Sequence, residues 1–579
     1  MYFSYGFILL AGLVFGTAVA NAAERSVDRF GVFEAEFNAS GRYDNPYRDL
    51  DADAEVKRPD GSTWRIPLFW DGSDIWKLRV SPDISGKWSF LVSSKDRGLN
   101  GRTGSFECRS SNRRGSIQPM AGHPRHFQYQ NGELLWFMGD TAWALYTDSA
   151  EEKHNRETMK HYVDVRAEQG FNVLHSMLLS EAGWGNQGGL PFHDIGAETI
   201  NSAYWREVDL RLDYLNRKGM VAGLTLAWGD KRKVEPFAWR RFPHVEARKR
   251  YARYIAARYS AYDVYFLVSG EWQGEVRTRD DVDEMEIKRE FIEIGDALHA
   301  ADPHGRMIGI HPMTRHGSVR EFNEATWMSF GDYQQNYRDL HARMLESRRF
   351  NKAVVNAEYG YYLRDRDGDG TPDKDNSTSL EAIRHATWDI VMSGGYVVTG
   401  FGTTYFGGHR DPGPFDVDTT KNDDWEAHIN AIKRFFQALE YWKLESHDQL
   451  IQCITPRGRE GKQFERTIPP ATTYWCLAEP GKQYVVYLRG LSSSIQLDLG
   501  DSEGEFEIRR FNPRTGKLSD RDVFRANKSI QLKPDDGRDW VFRLRRSPAE
   551  TVWSSHIMSG FSHVIQSAPQ QMRAVINPK

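Results

Sequence analysis

Eight short apolar runs alternate with amphipathic segments between residues 134 and 402, and this alternation constrains the fold more than any other feature of the sequence. Segments such as YWREVDLRLDYLNRKG (204–219) and HVEARKRYARYIAARYS (244–260) separate the runs and have helical character. Apolar runs separated by helices indicate βα units around a parallel sheet. The eight runs are LLWFMGD, FNVLHSML, MVAGLTLAWG, DVYFLVSGEW, RMIGIHPM, WMSFGDYQQ, AVVNAEYGY and GGYVVTGFG.

Eight βα units predict a (β/α)8 TIM barrel, which we assign to residues 118–445. An open, doubly wound parallel sheet is the alternative. That fold usually binds a dinucleotide through a Gly-x-Gly-x-x-Gly turn after its first strand. No such motif follows LLWFMGD, and the barrel is therefore the preferred prediction.

The sequences on either side of the barrel have a different pattern. Short alternating runs separated by Pro-Asp-Gly and Ser-Gly-Lys turns predict an N-terminal β-sandwich over residues 26–112. The alternation returns after the barrel and predicts a C-terminal β-sandwich over residues 446–547. Residues 548–579 have no clear period and are assigned as a tail. A chain of 579 residues is long enough for these several domains.

The N-terminal segment predicts export. Residues 1–22 contain an apolar run that ends in Ala20-Asn21-Ala22, a small-residue cleavage pattern, although a positively charged start is missing. A membrane anchor is the alternative, but the run is short and contains two glycines. We therefore expect a periplasmic or secreted protein, with no membrane span after removal of the signal peptide. Of the three cysteines, Cys453 and Cys476 could pair in an oxidising compartment, which the sequence leaves open.

The balance of charges makes nucleic acid an unexpected partner. Lys and Arg number 76 against 80 Asp and Glu, for a net charge of -4, and no basic stripe interrupts the balance. Aromatic residues are abundant at 13%, including 18 Trp and 25 Tyr. Their flat apolar faces with a polar edge suit sugar rings as well as protein cores. We therefore expect a polysaccharide or oligosaccharide partner; the oligomeric state is not indicated.

Two glutamates are the candidate catalytic residues. Glu271 ends the fourth run and Glu358 ends the seventh, where a barrel places its active site. Glycosidic bond cleavage uses one carboxylic acid and one carboxylate on opposite sides of a sugar. A buried salt bridge or a misplaced strand end is the alternative for either acid alone, whereas two acids at these two strands favour a catalytic pair. No cofactor is expected for catalysis.

Other polar and aromatic residues near the strand ends are candidate substrate contacts. Asp140 is ambiguous between a sugar ligand and a residue that orients a neighbour. Each tryptophan is as compatible with the barrel core as with a sugar platform, and the histidines lack companions at metal-site spacing. The candidate substrate-binding residues are Asp140, Trp143, His175, Trp184, Trp228, His311, Tyr333, Gln334 and Tyr405, with His409 nearby.

An aspartate-rich loop follows Glu358 and suggests calcium. In DRDGDGTPDKDN, alternate aspartates and a glycine have the spacing of a calcium-binding loop, and Asn376 stands where an EF-hand would have its last glutamate. A solvated acidic loop is the alternative. The candidate ligands of a structural calcium ion are Asp365, Asp367, Asp369, Thr371 and Asp373.

Several of these motifs also resemble one enzyme family. LLWFMGDTAW, LDYLNRKGMVAGLTLAWG, SGEW, NAEYGY and RHATWDIVMSGGYVVTGFG look like the apiosidase-like barrel of glycoside hydrolase family 140 and its relatives. The segment before them resembles the β-sandwich that commonly precedes this barrel. The segment after them is similar to a C-terminal domain of the collagen-binding type. Together the resemblance covers residues 27–547.

The resemblance implies a retaining mechanism with Glu271 as acid/base and Glu358 as nucleophile. One departure is that apiosidases carry an aspartate where this chain has Glu271, and a displacement near 1 Å can cost about 10²-fold in rate. We therefore expect a different sugar specificity, and Glu275 remains a rival for the acid role.

Three functional hypotheses follow. The first is an exported retaining glycoside hydrolase that acts on a plant or algal polysaccharide or oligosaccharide. The second is a non-catalytic carbohydrate- or matrix-binding protein on the same scaffold, although a pure binder has no need of both acids. The third, metal-dependent hydrolysis, is disfavoured because no complete ligand set is present.

Overall fold

The computed structural model describes eight stretches of the chain, and every structural statement below concerns these residues. Within them, no helix is both long enough and apolar enough to span a bilayer. The described stretches are residues 25–150, 154–233, 236–313, 317–334, 340–359, 379–399, 425–458 and 472–547.

The N-terminal domain is built from two sheets. The larger has the strand order β1-β8-β7-β3-β4 and the smaller β2-β6-β5. Alternate residues of β3 are buried, which is the period of two expected of a strand with one face on a core. The predicted N-terminal β domain is thus confirmed. Its elements are β1 (Ser26–Asp28), β2 (Phe33–Asn38), α1 (Pro46–Asp49), β3 (Ala52–Lys57), β4 (Thr63–Pro67), β5 (Phe69–Trp70), β6 (Ile75–Val80), β7 (Gly86–Ser94) and β8 (Thr103–Arg109).

A small antiparallel sheet leads into the barrel and closes its lower end, which is the end where the barrel strands begin. It has the order β11-β10-β9, with β9 (Ile117–Met120), β10 (His123–Tyr129) and β11 (Leu134–Leu135). Phe127 is fully buried, and its ring lies 5.0 Å from Phe137 and 5.1 Å from Tyr396. Because Tyr396 begins the last barrel strand, these aromatic rings fill the barrel at the amino-terminal ends of its strands.

The centre of the molecule is an eight-stranded parallel sheet that is nearly closed. The order is β16-β15-β14-β13-β12-β19-β18-β17. The gap between β16 and β17 is narrowed by the Ser329 backbone N–H, which donates to the Ile308 carbonyl at 2.9 Å. All eight predicted strands are confirmed, and with them the barrel. They are β12 (Met138–Thr141), β13 (Val173–Met177), β14 (Val221–Thr225), β15 (Val264–Leu267), β16 (Ile308–Gly309), β17 (Gly331–Gln334), β18 (Val354–Tyr359) and β19 (Tyr396–Thr399).

Helices follow the barrel strands and cover the sheet. Helix α2 begins with a reciprocal capping box between Asn155 and Thr158, and α3 and α9 begin at Asn201 and Ser379, whose side chains accept backbone N–H groups. The helices are α2 (Arg156–Glu168), α3 (Ser202–Arg217), α4 (Val245–Tyr259), α5 (Gln273–Thr278), α6 (Glu284–Ala300), α7 (Ser318–Phe322), α8 (Leu340–Arg348), α9 (Leu380–Val391) and α10 (Trp425–Gln437). Short 3₁₀ turns lie at Trp239–Arg241, Tyr441–Lys443 and Asp448–Leu450.

The C-terminal domain again has two sheets. The larger runs β20-β22-β23-β29-β25-β26, with β27 also paired to β25, and the smaller runs β21-β24-β28. The three cysteines are free thiols, so the Cys453–Cys476 pair is not bridged. The strands are β20 (Glu445–Ser446), β21 (Ile451–Gln452), β22 (Thr473–Glu479), β23 (Gln483–Arg489), β24 (Ile495–Asp498), β25 (Glu505–Asn512), β26 (Lys517–Leu518), β27 (Asp522–Arg525), β28 (Ser529–Leu532) and β29 (Trp540–Arg546).

Candidate active site

Glu271 lies at the barrel mouth, four residues after the end of β15, and its side chain has three described donors. Gln334 Nε2 donates to Oε1 at 3.1 Å, while Trp228 Nε1 at 3.3 Å and Lys231 Nζ at 2.8 Å contact Oε2. The residue is only 7% exposed. These contacts come from two strand ends, since Trp228 and Lys231 follow β14 and Gln334 ends β17, so separate parts of the barrel mouth fix this carboxylate.

The backbone at Glu271 is strained. Its φ of 38° falls in the left-handed region, which residues with a side chain seldom occupy. Gly270 before it lies under the ring of Trp228, because a Cβ there would come within 2.0 Å of the indole. Strain of this kind costs about 1–3 kcal/mol and persists where the surrounding structure enforces it, as at functional sites.

Charges around Glu271 favour its ionised form. Burial raises the pKa of this carboxyl, but Lys231, His311 and the hydrogen bond from Gln334 act in the opposite direction and hold the pKa below its usual value. Lys231 is itself shared, because its Nζ also lies 2.9 Å from Glu181 Oε1. Glu271 therefore rests as a carboxylate beside an ammonium group.

Glu358 reaches the mouth because β18 contains a bulge. Tyr333 pairs with Asn356, but the next residue, Gln334, pairs with Glu358, so one extra residue of β18 is inserted between the two pairs. Since side chains alternate along a strand, the extra residue turns Glu358 to the same face as Gln334. The two candidate acids are thereby joined through Gln334, which contacts Glu271 and is the neighbour of Glu358 in the sheet.

His311 supports Glu358 from the end of β16. Its Nε2 lies 3.1 Å from Glu358 Oε2, and its Nδ1 lies 3.2 Å from Asp332 Oδ2. Burial lowers the pKa of this imidazole, but Asp332 and Glu358 outweigh burial and raise the pKa to about 10. At neutral pH both ring nitrogens carry protons and donate, so a cation between two carboxylates fixes the position of Glu358.

An aromatic wall borders the two acids. The ring of Trp143 lies 5.0 Å from that of Trp228 and 5.0 Å from that of His175, and Trp184 packs half-buried against the same cluster. The indole N–H of Trp143 is buried without an acceptor in the described part of the chain. The rings of Trp143 and Trp228 are themselves buried, so Trp184 is the tryptophan of this cluster whose partly exposed face suits a sugar ring.

Asp140 does not lie at the mouth, which corrects its assignment as a sugar ligand. Its side chain is fully buried on the outer face of β12, where Arg166 Nε of α2 lies 2.5 Å away and Tyr162 donates at 2.9 Å. Of the two roles that the sequence left open, the structure supports the orienting one.

Tyr333 and Glu275 also point away from the acids. Tyr333 lies between Asp332 and Gln334, which face the barrel interior, so its ring lies on the opposite face and packs over Gly317. Glu275 on α5 faces Arg248 at 3.6 Å and accepts the Asp230 N–H at 3.1 Å. The geometry therefore favours Glu271 over Glu275 as the acid.

Some candidate residues lie outside the described stretches. In the part of the chain that is described, no group of three or more His, Cys, Asp or Glu residues is arranged to hold a metal ion. The candidates outside it are Tyr405 and His409 and the calcium loop with Asp365, Asp367, Asp369, Thr371 and Asp373.

Three residues of the site were missed in the sequence. Asp332 lies two positions before Gln334, and the strand period alone would have placed it on the same face. Lys231 and Glu181 lie in loops after β14 and β13, where the local sequence gives no signal that their side chains turn toward Glu271.

The barrel and its mouth define the class of glycoside-hydrolase-type barrels: parallel strands closed into a ring, with paired acids and aromatic side chains at the carboxyl ends. The sequence model of the family described as "Apiosidase-like, catalytic domain" matches residues 122–442, which is more than half of the chain. The protein therefore belongs to this family. A domain of unknown function, DUF5060, matches residues 26–95.

Solved structures share the fold. A protein from Bacteroides vulgatus described as a candidate glycoside hydrolase is similar over 90% of this chain and 100% of its own, with a TM-score of 0.65 and 16% identity. A glycoside hydrolase matches with a TM-score of 0.59 and 18% identity, over 75% of this chain and 97% of its own. A family 5 glycoside hydrolase from Bacteroides vulgatus matches with a TM-score of 0.58 and 16% identity, over 75% and 93%. No curated protein matches the chain. The family and the fold together support glycosidase activity.

Proposed function

We propose that the protein is an exported retaining glycoside hydrolase that cleaves glycosidic bonds in a plant or algal polysaccharide or oligosaccharide. The observation that carries this proposal is that Glu271 and Glu358 both lie at the barrel mouth, where the Gln334 side chain donates to Glu271 and Gln334 is the sheet neighbour of Glu358. Retaining glycosidases require two such carboxyl groups near one sugar ring.

Glu271 must take up a proton before the first step, because Lys231 and His311 hold its pKa below the usual value. In the first step, protonated Glu271 gives this proton to the glycosidic oxygen while Glu358 attacks the anomeric carbon. The bond from that carbon to the leaving oxygen breaks, and a covalent glycosyl-enzyme forms. In the second step, Glu271 takes a proton from water, the water oxygen attacks the anomeric carbon, and Glu358 leaves as a carboxylate. Two displacements on one carbon return the original configuration.

The surrounding residues supply positioning. Imidazolium His311 donates to Glu358 and holds it in one orientation for attack. Trp184, the half-buried tryptophan of the cluster, offers an apolar face for the sugar and is supported from behind by the buried rings of Trp143 and Trp228. A site lined by indoles and carboxylates suits a neutral sugar ring.

The strained backbone of Glu271 favours catalysis over simple carbohydrate binding. A binding protein gains nothing from a glutamate held at a φ of 38° with an ammonium group at 2.8 Å. An enzyme gains from a carboxyl group that is already in place when the bond breaks.

Export and calcium remain proposals that rest on the sequence. Residues 1–22 have the length and ending of a signal peptide, and the aspartate spacing at Asp365, Asp367 and Asp369 is that of a calcium loop. Because this loop follows Glu358 in the chain, we propose a structural role for calcium near the rim of the site.

The test is turnover by Glu358→Ala and Glu271→Ala variants on aryl glycosides and on plant and algal polysaccharides. We expect Glu358→Ala to lose turnover and Glu271→Ala to lose about 10²–10⁴-fold in rate. Azide should rescue both: it should give a glycosyl azide of inverted configuration with Glu358→Ala and of retained configuration with Glu271→Ala.

Glu346→Ala is the matched control, because Glu346 is an exposed glutamate on α8, the helix before β18. It should match the wild type. Undiminished turnover by Glu358→Ala would contradict the proposal, and a product of inverted configuration from the wild-type protein would replace retention by inversion.

A further inference from the structure

Three charged side chains form two consecutive ion pairs along the rim of the barrel mouth. Lys231 Nζ lies 2.9 Å from Glu181 Oε1 and 2.8 Å from Glu271 Oε2. The side chains of Lys231 and Glu181 are 14% and 13% exposed, so the ion pairs are largely shielded from water. The ammonium group also lies 5.4 Å from the centre of the Trp228 ring, which fixes its stem over the indole.

Each of these three charged residues comes from a different loop. Glu181 follows β13, Lys231 follows β14 and Glu271 follows β15, and these strands are neighbours in the barrel. No helix or strand imposes the contact between them. The arrangement therefore depends on the side chains themselves, and changing one member alters the charge that the other two experience.

These three charged side chains affect whether Glu271 can be protonated, which the proposed reaction requires. Glu271 must carry a proton when the substrate arrives, and an ammonium group at 2.8 Å opposes protonation. Glu181 counteracts this effect, because it shares the same ammonium group and adds a negative charge nearby.

We propose that Lys231, oriented by Glu181, is a positioning residue that sets the proton affinity of Glu271 and thereby the upper pH limit of the reaction. This inference rests on the proposed function. It assigns a role to two residues that do not themselves touch the reacting atoms.

Other charged groups also face Glu271 and stay unchanged in the test. His311 from the end of β16 contributes a positive charge that lowers the pKa of Glu271. Behind His311 lie Asp332 of β17 and Glu358 of β18, and Arg232 acts on Glu181 from the loop after β14. Any shift caused by Lys231 or Glu181 is measured against this constant background.

Two substitutions predict shifts of opposite sign. Lys231→Met keeps the stem over Trp228 but removes the charge, so the pKa of Glu271 rises and the alkaline limit of kcat/KM moves up. An adjacent opposite charge shifts a carboxyl pKa by about 1–3 units, which sets the size expected. Glu181→Gln removes a negative charge that acts on Glu271 and that shares the Lys231 ammonium group, so the alkaline limit moves down.

The first measurement is the pH profile of kcat/KM for the wild type, Lys231→Met, Glu181→Gln and the control Lys233→Met. Lys233 is two residues away and pairs at 2.7 Å with the exposed Asp280. We expect an upward, a downward and no shift for the three variants. Loss of activity by the same factor at all pH values, with the limit unmoved, would indicate a merely structural role and overturn the proposal.

The second measurement does not need turnover. In protein labelled with ¹³C at the glutamate carboxyl groups, the Glu271 signal is identified by its absence from Glu271→Gln. Its titration should move up in Lys231→Met and down in Glu181→Gln. If these titrations move but no glycoside is cleaved, the proposed function fails and the role of Lys231 stands. If they do not move, the role of Lys231 fails whatever the activity.

Discussion

At the scale of the residue, Gln334 is the link between the two candidate acids. Its amide N–H donates to Glu271 at 3.1 Å, and in the sheet its neighbour is Glu358. With 5% of its surface exposed, its hydrogen bond to Glu271 is shielded from competing water. The orientation of Glu271 toward a sugar therefore depends on a neutral side chain from β17.

We expect Gln334→Leu to lower kcat/KM by about 10- to 100-fold, because a buried carboxylate oxygen without its donor costs about 1–3 kcal/mol. Steady-state kinetics with an aryl glycoside would measure the loss. Gln118→Leu, the same change in the sheet at the opposite end of the barrel, is the control and should leave kcat/KM unchanged. Equal losses in both variants would point to a general effect on the fold.

Residue identity and position near a strand end were enough to find part of the site. Glu271, Glu358, His311 and Gln334 were each predicted and lie together. Asp140 has an equally suitable position in the sequence, but its side chain faces Arg166 on α2. No local pattern indicates the register of these short strands, and a change of one residue in the register moves a side chain to the other face of the sheet.

At the scale of the element, the bulge in β18 determines which way Glu358 points. A regular strand would place Ala357 beside Gln334 and would turn Glu358 toward the helices. The run AVVNAEYGY predicts a buried strand, but nothing in its composition indicates an extra residue. The presence of all eight barrel strands was therefore predictable, whereas the face of the sheet on which each side chain lies was not.

The sheet that closes the lower end of the barrel contains a pH-sensitive group. His126 of β10 is 3% exposed, and its Nδ1 lies 2.7 Å from the Tyr396 hydroxyl. Burial, together with the positive charge of Arg348, lowers the pKa of His126 to about 3. In the unfolded chain it titrates near 6.5, so below that pH the unfolded state binds the proton and stability falls.

Because of this one histidine, we expect the free energy of unfolding of the wild-type protein to fall by about 2 kcal/mol between pH 7 and pH 5. His126→Gln should lose less stability over the same interval, because glutamine takes up no proton. Thermal unfolding at both pH values would measure the difference. His123→Gln, which removes a half-buried histidine from the same strand, is the control. An identical pH dependence in wild type and His126→Gln would contradict the assignment.

At the scale of the whole molecule, buried ion pairs join the domains. Arg79 of the N-terminal domain contacts Asp209 of α3 at 2.6 Å, and Arg258 of α4 contacts the same carboxylate at 2.7 Å. On the other side, Arg384 of α9 pairs with Asp539 of the C-terminal domain at 2.8 Å.

The order of the domains was predictable because the hydrophobic period changes along the chain. The contacts between domains were not, because the partners are far apart in sequence: Arg79 and Asp209 are separated by 130 residues, and Arg384 and Asp539 by 155. Arginine and aspartate are residue types that usually lie at a protein surface. Only the folded arrangement shows that they are buried together.

Asp209 is the residue through which the joint between the N-terminal domain and the barrel can be tested. Two arginines share its carboxylate, and their side chains are 4% and 0% exposed. Burial raises the pKa of Asp209, but Arg258 and Arg79 outweigh burial and hold the pKa below its usual value. The carboxylate thus stabilises the folded state above the ordinary aspartate pKa of about 3.9, and this contribution is lost as the pH falls below it.

We expect Asp209→Asn to reduce stability by about 1–3 kcal/mol at pH 7, because two buried arginines lose a shared charged acceptor, although Arg79 keeps Glu34 at 2.8 Å and Arg258 keeps Asp71 at 2.9 Å. The measurement is thermal unfolding followed by tryptophan fluorescence, with Asp213→Asn as the control. Asp213 lies one turn further along α3 in an exposed pair with Arg217, which is worth at most about 1 kcal/mol. The loss of stability in Asp209→Asn should become smaller as the pH is lowered below about 3.9, since Asp209 of the unfolded wild-type chain then binds a proton that the folded carboxylate does not. Equal losses in the two variants would show that the shared carboxylate does not hold the N-terminal domain to the barrel.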